Sequence, residues 1–315
     1  MQYPSFEQYN LALQNPQYVL TDPNLKRGKI MINGLGLPLA LCGGFALTYM
    51  ITINDKKYAL RCFHKNADNL QRRYDAISTR INQLKSPFFV DFDFQPSGIK
   101  VDQTTYPIVK MAWADGMVLG EFLETNYKDS QKLSALTVSL TELASFLERN
   151  KLAHGDIQPG NVMVSADGRR VQLIDYDGMY VEPIKYLGSS ELGHVNFQHP
   201  QRDKSCWNPY LDRFSFIELI LALRSLREDP SLWLNTQSDG DAVLFRANDY
   251  ADPDNSTVFK SIIQNPRLAD DARNFSNVCK SSMDKVPALS DFLQKRNLPK
   301  HEISLSTSFL AHHYI

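Results

Sequence analysis

Five residues of this 315-residue chain have types and spacing that could do chemistry together: His154, Asp156, Pro159, Asn161 and Asp175. They stand in Leu152-Ala153-His154-Gly155-Asp156-Ile157-Gln158-Pro159-Gly160-Asn161-Val162 and in Gln172-Leu173-Ile174-Asp175-Tyr176-Asp177-Gly178. Asp156 ends a loop and can face an incoming hydroxyl. Asn161 opens a hairpin whose far strand delivers Asp175, so one hairpin presents two side-chain oxygens to a metal ion. At about 5% usage each, five fixed residues match by chance on the order of once in 10⁴ chains of this length. Taken singly, His154, Asp156 and Asn161 read as turn-stabilising residues; taken together they read as a site.

The set resembles the protein-kinase catalytic loop H-R-D-L-x-x-x-N and the metal-binding D-F-G, with Asp156 matching the catalytic aspartate, Asn161 five residues on and Asp175 nineteen residues on. The resemblance implies that Asp156 accepts or orients the substrate hydroxyl's proton, that Asn161 and Asp175 hold Mg²⁺ (with Mn²⁺ as the alternative ion), and that ATP is the donor. Gln158 stands where the catalytic-loop lysine would touch the transferred group. The wording of these motifs, with Gly193-His194-Val195-Asn196-Phe197-Gln198-His199-Pro200, is similar to a bacterial group of eukaryotic-like Ser/Thr kinases. Members of that group often sit beside a PP2C-type phosphatase and a von Willebrand A (VWA) domain protein of the tellurite-resistance (TerY) type. By that resemblance, these two and a protein substrate are the implied partners.

The rest of the kinase pattern is present with substitutions. Leu41-Cys42-Gly43-Gly44-Phe45-Ala46 aligns with the glycine-rich loop, with Leu41 and Ala46 in place of its first and third glycines; Gly43, Gly44 and Phe45 are the implied nucleotide contacts there. Tyr58-Ala59-Leu60-Arg61 takes the place of V-A-I-K, which implies nucleotide contact by Ala59 and puts Arg61 where a lysine would meet the phosphates. Arg61 also reads as a strand residue with a solvated head. The following helix should supply a glutamate to that cation, but its candidates are Asp68 and Asp75, and Asp75 falls roughly 140° from the apolar face. No helix carboxylate is therefore expected on Arg61. Met111 precedes a hinge, Ala112-Trp113-Ala114, whose backbone would pair with adenine. Gly155 replaces the arginine that receives an activation-loop phosphate, so activity without phosphorylation at Ser189 or Ser190 is expected. Asp177 replaces the D-F-G glycine and reads equally as a metal-proximal charge or a turn residue.

The elements that must position these residues follow from periodicity. Residues 1–27 are polar, with a helical stretch at Phe6 to Leu13, and read as an N-terminal extension. Strands are expected at Lys29 to Ile32, Thr48 to Ile53, Lys57 to Phe63, Phe88 to Phe94 and Tyr106 to Met111, with a short run at Ile99 to Val101 after Pro96-Ser97-Gly98. Leu70, Tyr74, Ile77, Ile81 and Leu84 fall within about 80° of one another and predict an amphipathic helix ending before Pro87. Helices are expected at Leu119 to Thr125 and Gln131 to Asn150, capped by Asp129 or Ser130. A hairpin of Asn161 to Val164 against Val171 to Ile174 follows, then an apolar helix capped by Asp212 and running through Leu226. The expectation is an α+β, bilobal, kinase-like architecture. A β-rich N-lobe with one long helix spans 28–111, and a mainly helical C-lobe spans 112–315, with the kinase domain at about 28–300.

Composition is permissive. Lys plus Arg number 34 and Asp plus Glu 35, a net charge of −1, which gives no bulk attraction for nucleic acid or acidic membranes. Cys42, Cys62, Cys206 and Cys279 are far apart, which predicts reduced thiols and a cytoplasmic location. Residues 30 to 54 are uncharged and long enough to span a bilayer, but Gly34, Gly36, Pro38, Gly43 and Gly44 suit a glycine-rich turn between strands instead. The expected activity is Ser/Thr protein kinase. The alternatives are a pseudokinase that binds nucleotide or a protein without turnover, and a small-molecule phosphotransferase. The stretch from His199-Pro200-Gln201 to Asp212 favours a protein substrate, because small-molecule relatives generally lack such a segment.

Overall fold

A computed structural model describes residues 3–65 and 69–300. It is a mixed fold of helix and antiparallel sheet. The first sheet contains β1 (Lys29–Ile30), β2 (Ala40–Cys42), β3 (Ala46–Ile53), β4 (Lys56–Phe63), β5 (Phe92–Val101) and β6 (Thr104–Ala112), in the order β1-β3-β4-β6-β5 with β2 also paired to β3. Alternation along β4 sorts its side chains: Leu60 and Cys62 join one buried cluster, while Arg61 and Phe63 share the other face. That second face carries α3 (Leu70–Leu84), whose Tyr74 ring packs on Phe63, Phe92 and Phe94 at centroid separations of 5.6, 6.0 and 5.3 Å.

The opposite face is covered by the start of the chain. Helices α1 (Phe6–Leu13) and α2 (Pro16–Val19), with the turns that follow them, put Tyr9, Leu13, Leu20 and Leu25 into one buried cluster with Leu47, Tyr49, Ile51, Leu60 and Ile108. Ser5 and Gln8 form a capping box at the start of α1. The buried Tyr9 hydroxyl donates to the Phe63 carbonyl at 2.7 Å. Replacing Tyr9 with Ala is expected to cost about 3–5 kcal/mol in urea unfolding, against less than about 0.5 kcal/mol for Leu11→Ala on the solvent side of the same helix. Equal effects would show that this segment is not part of the cooperative unit.

The second half is helical around a three-stranded sheet of β7 (Met117–Val118), β8 (Val162–Val164) and β9 (Val171–Leu173). Helix α4 (Leu119–Asn126) leads to α5 (Ser130–Arg149), which Asp129 caps by accepting from the Gln131 and Lys132 amides. Helix α6 (Arg213–Glu228) is buried on nearly every side and forms the centre, as its apolar sequence requires. Five shorter helices follow between Leu232 and Leu293 among the described residues. The described residues include no helix long and apolar enough to cross a membrane, and the four cysteines are free.

Three expected elements differ from those observed. Strand β1 stops at Ile30, and the chain turns at Asn33, whose side chain accepts from the Leu35 and Leu37 amides, before β2 pairs with β3; the Gly43-Gly44 turn thus joins β2 to β3. Phe88 to Val90 are not strand, because their backbone is used elsewhere: the Phe88 carbonyl accepts from Leu173 N–H at 2.8 Å and Val90 N–H donates to the Tyr176 hydroxyl at 2.9 Å. Pro96-Ser97-Gly98 does not break the sheet but runs through β5 as an irregularity between Gln95 and Ile99, where a side chain on Gly98 would press into Ile108.

Candidate active site

The hairpin β8–β9 and the loop before it assemble the cluster. His154 is fully buried, with Nε2 3.0 Å from the Ile174 carbonyl. Asp212 opens α6 without capping it; its carboxylate instead accepts from His154 N–H at 2.5 Å and Gly155 N–H at 2.8 Å, which fixes the loop that leads to Asp156. Burial pushes the Asp212 carboxyl above its usual range, against the pull of His154 and those two amides. Gly155 has φ +82°, and a side chain there would run into the Gly178 carbonyl.

Asp156 is held by three N–H donors. Gln158 Nε2 at 2.7 Å and Asn161 Nδ2 at 2.8 Å reach Oδ2, and His194 N–H reaches Oδ1 at 2.7 Å. Gly193, just before that donor, has φ +75°, and an added Cβ would lie 2.9 Å from Asp156 Oδ1 and 2.8 Å from the Gly155 carbonyl. Asn161 also donates to the Asp156 carbonyl at 3.0 Å, so its N–H groups are engaged and its amide oxygen is left as an acceptor.

Arg61 reaches this cluster from the sheet above. Its head is buried, not solvated, with Nη1 2.9 Å from Asp175 Oδ1 and Nη2 2.8 Å from Asp177 Oδ2. The helix contributes a hydroxyl instead of a carboxylate: Tyr74 donates to Asp177 Oδ1 and lies 3.4 Å from Arg61 Nη1. Asp75 is exposed, and Asp68 lies outside the described residues. Burial tends to raise the Asp175 carboxyl, but Arg61 and His154 hold it below the usual carboxylate range. For Asp177, burial and the neighbouring Asp175 outweigh Arg61 and push the carboxyl up to about 6. Glu191, pressed against Gly178, is pushed up to about 8 by burial and by Asp175, Asp177 and Asp156.

A cavity of about 490 Å³ lies between the sheet and the hairpin, within the range of small-molecule sites. Of the residues singled out from the sequence, Gly43, Ala59, Arg61, Met111, Ala112, Ala114, Asn161 and Asp175 line it. Gly44, Phe45, Asp156 and Gln158 do not, although Asp156 and Gln158 are tied to the wall through Asn161 and Asp156 respectively. Phe45 instead borders a closed recess with Tyr74, Ile77, Tyr176 and Asp177. Met163 and Ile174 also line the cavity, from the hairpin, as does Glu121 at the start of α4, and no motif marks these three in the sequence. The alternation of the two strands, with Met163 and Ile174 in step with Asn161, was the available signal for the first pair.

One amide oxygen, of Asn161, and one part-exposed carboxylate, of Asp175, border the cavity, and oxygens of this kind are what a hard divalent cation takes as ligands. Among the described residues no group of three or more His, Cys, Asp or Glu side chains is placed to hold a metal, so such an ion would depend on oxygens from its ligand. Comparison with known proteins finds a likeness to a probable serine/threonine-protein kinase of fowlpox virus, 23% identical over 183 residues, which cover 53% of this chain and 57% of the viral protein. The match thus spans little more than half the length of that relative. No protein-family model matches the chain. The likeness supports a protein-kinase-like relationship and, coarsely, a kinase or phosphotransferase.

Proposed function

We propose that this chain is a serine/threonine protein kinase that transfers the γ-phosphoryl group of ATP, bound with Mg²⁺, to a protein hydroxyl. The observation that carries the reading is that the two ends of one hairpin bring Asn161 and Asp175 to the wall of a cavity bordered by Gly43, with Asp156 bonded to Asn161 at 2.8 Å. In this reading the backbone of Ala112 and Ala114 meets adenine, with Ala59 and Met111 packing on the base, while Gly43, Gly44 and Arg61 take the phosphates. Asn161 and Asp175 hold the metal, which neutralises charge on the transferred group. Asp156 orients the hydroxyl and receives its proton, and Gln158 keeps the carboxylate aimed. Residues 28–111 and 112 to about 300 act as the two halves around this cavity.

Incubation with labelled ATP, Mg²⁺ and a generic protein substrate tests the proposal, and incorporation into protein is the expected result. Turnover with an alcohol or amino sugar but not with protein would assign a small-molecule phosphotransferase. A thermal shift with ATP but no transfer would assign a nucleotide-binding pseudokinase, a reading favoured by the Arg61–Asp175 ion pair, which engages the carboxylate the metal needs.

Phosphorylation of the segment after β9 is not required in this reading. Ser190 Oγ donates to the Asp177 carbonyl at 2.7 Å and Ser189 Oγ to the Glu191 carbonyl, while Arg73 of α3 donates to the carbonyls of Leu187 and Gly188 at 3.2 and 2.8 Å. The segment is thereby held by side-chain donors on its carbonyls without a phosphate, and the two bonds from Arg73 remain when both serines are replaced. Ser189→Ala with Ser190→Ala is expected to leave the transfer rate within about threefold of the parent, a difference under about 1 kcal/mol. Loss of transfer restored by phosphomimetic residues would contradict it.

A further inference from the structure

Arg61 meets two carboxylates on separate nitrogens, and their surroundings differ. The Asp175 side chain is 37% exposed and borders the cavity. That of Asp177 is 10% exposed and lies in the closed recess among Phe45, Leu70, Tyr74 and Tyr176. Asp177 is further fixed by the Tyr74 hydroxyl, which also lies within reach of Arg61 Nη1.

We propose that Asp177, pinned by Tyr74, is the permanent counter-ion that positions Arg61 at the cavity, so that Asp175 is the exchangeable partner that turns to a metal–phosphate group. The inference deepens the phosphotransferase reading and rests on it for the identity of the incoming group. Its physical basis is the fork of the guanidinium. A planar head with separate N–H edges can keep one carboxylate on Nη2 while Nη1 changes partners, whereas an ammonium offers a single centre. A buried cation released by Asp175 with no second carboxylate would have no fixed counter-charge to hold its head in place while phosphate exchanges on Nη1. Arginine on β4 and aspartate two residues after Asp175 are therefore one device in space, and they account together for a helix α3 that offers Arg61 a hydroxyl and no acid.

The test compares Asp177→Asn, Tyr74→Phe, Arg61→Met and the double variant Arg61→Met/Asp177→Asn, reading the ATP KM in steady-state transfer and the Mg·ATP Kd by calorimetry. Asp177→Asn is expected to raise both by about tenfold and Tyr74→Phe by about threefold, with the double variant no worse than Arg61→Met. A merely structural role would reduce the active fraction, and so kcat, while leaving KM and Kd in place. An unchanged KM and Kd in Asp177→Asn, or effects that add fully in the double variant, would overturn the proposal. If Asp177→Asn does not fold, Tyr74→Phe carries the same test. A protein that binds Mg·ATP without transferring phosphate would refute the kinase reading yet still decide this one through Kd; folded wild-type protein that binds no Mg·ATP would refute both.

Discussion

Asp156→Ala is expected to reduce phosphoryl transfer by about 10²–10⁴-fold, the range associated with loss of a positioned proton acceptor, and Asp175→Ala to bring it to background by removing the carboxylate that borders the cavity. Neither change should unfold the protein. The donors that hold Asp156 come from partly exposed Gln158, Asn161 and His194, where water can take the carboxylate's place. Loss of Asp175 leaves Arg61 paired with Asp177. The measurement is labelled-phosphate incorporation beside the melting temperature of each variant. Transfer retained by both variants would end the kinase assignment.

The second large effect concerns Gly155. Restoring the arginine usual in the kinase pattern would look like a repair, yet Gly155→Arg is expected to destabilise the protein by about 3 kcal/mol or more, with Gly155→Ala changing it in the same direction. The backbone there has φ +82° and any Cβ meets the Gly178 carbonyl, a backbone atom that cannot swing aside. Its amide is also fixed by Asp212 at 2.8 Å. Urea unfolding reads the cost, and a variant as stable as the parent would show that this turn can relax. The position thus lacks a side chain for a local reason, the left-handed turn against the Gly178 carbonyl.

The parts of this architecture that could be read from sequence are those set by a short repeat. The apolar stripe of Leu70 to Leu84 gave α3 its bounds, and alternation located β3, β4 and β6. The spacing from Asp156 to Asn161 and Asp175 matches a real convergence, because a tight hairpin brings its two ends together. What escaped depends on contacts between distant residues. Tyr74 sits on an apolar stripe and reads as core, but its hydroxyl lies 103 positions from its acceptor, Asp177. Asp212 looks like a helix cap until its carboxylate is seen to bond amides 57 and 58 residues upstream. The polar composition of residues 1–27 hid four apolar side chains that close one face of the sheet. Phe88 to Val90 look like a strand because their residue types favour one, yet Tyr176 and Leu173 use their backbone first.

The bond from His194 N–H to Asp156 Oδ1 links the loop at Gly193 directly to the carboxylate that would receive a proton. The next residue, Val195, is 64% exposed. A molecule resting on Val195 would therefore sit one peptide unit from the N–H that fixes the Asp156 carboxylate, so that the rim of the loop and the aim of that side chain are set by the same short stretch of backbone.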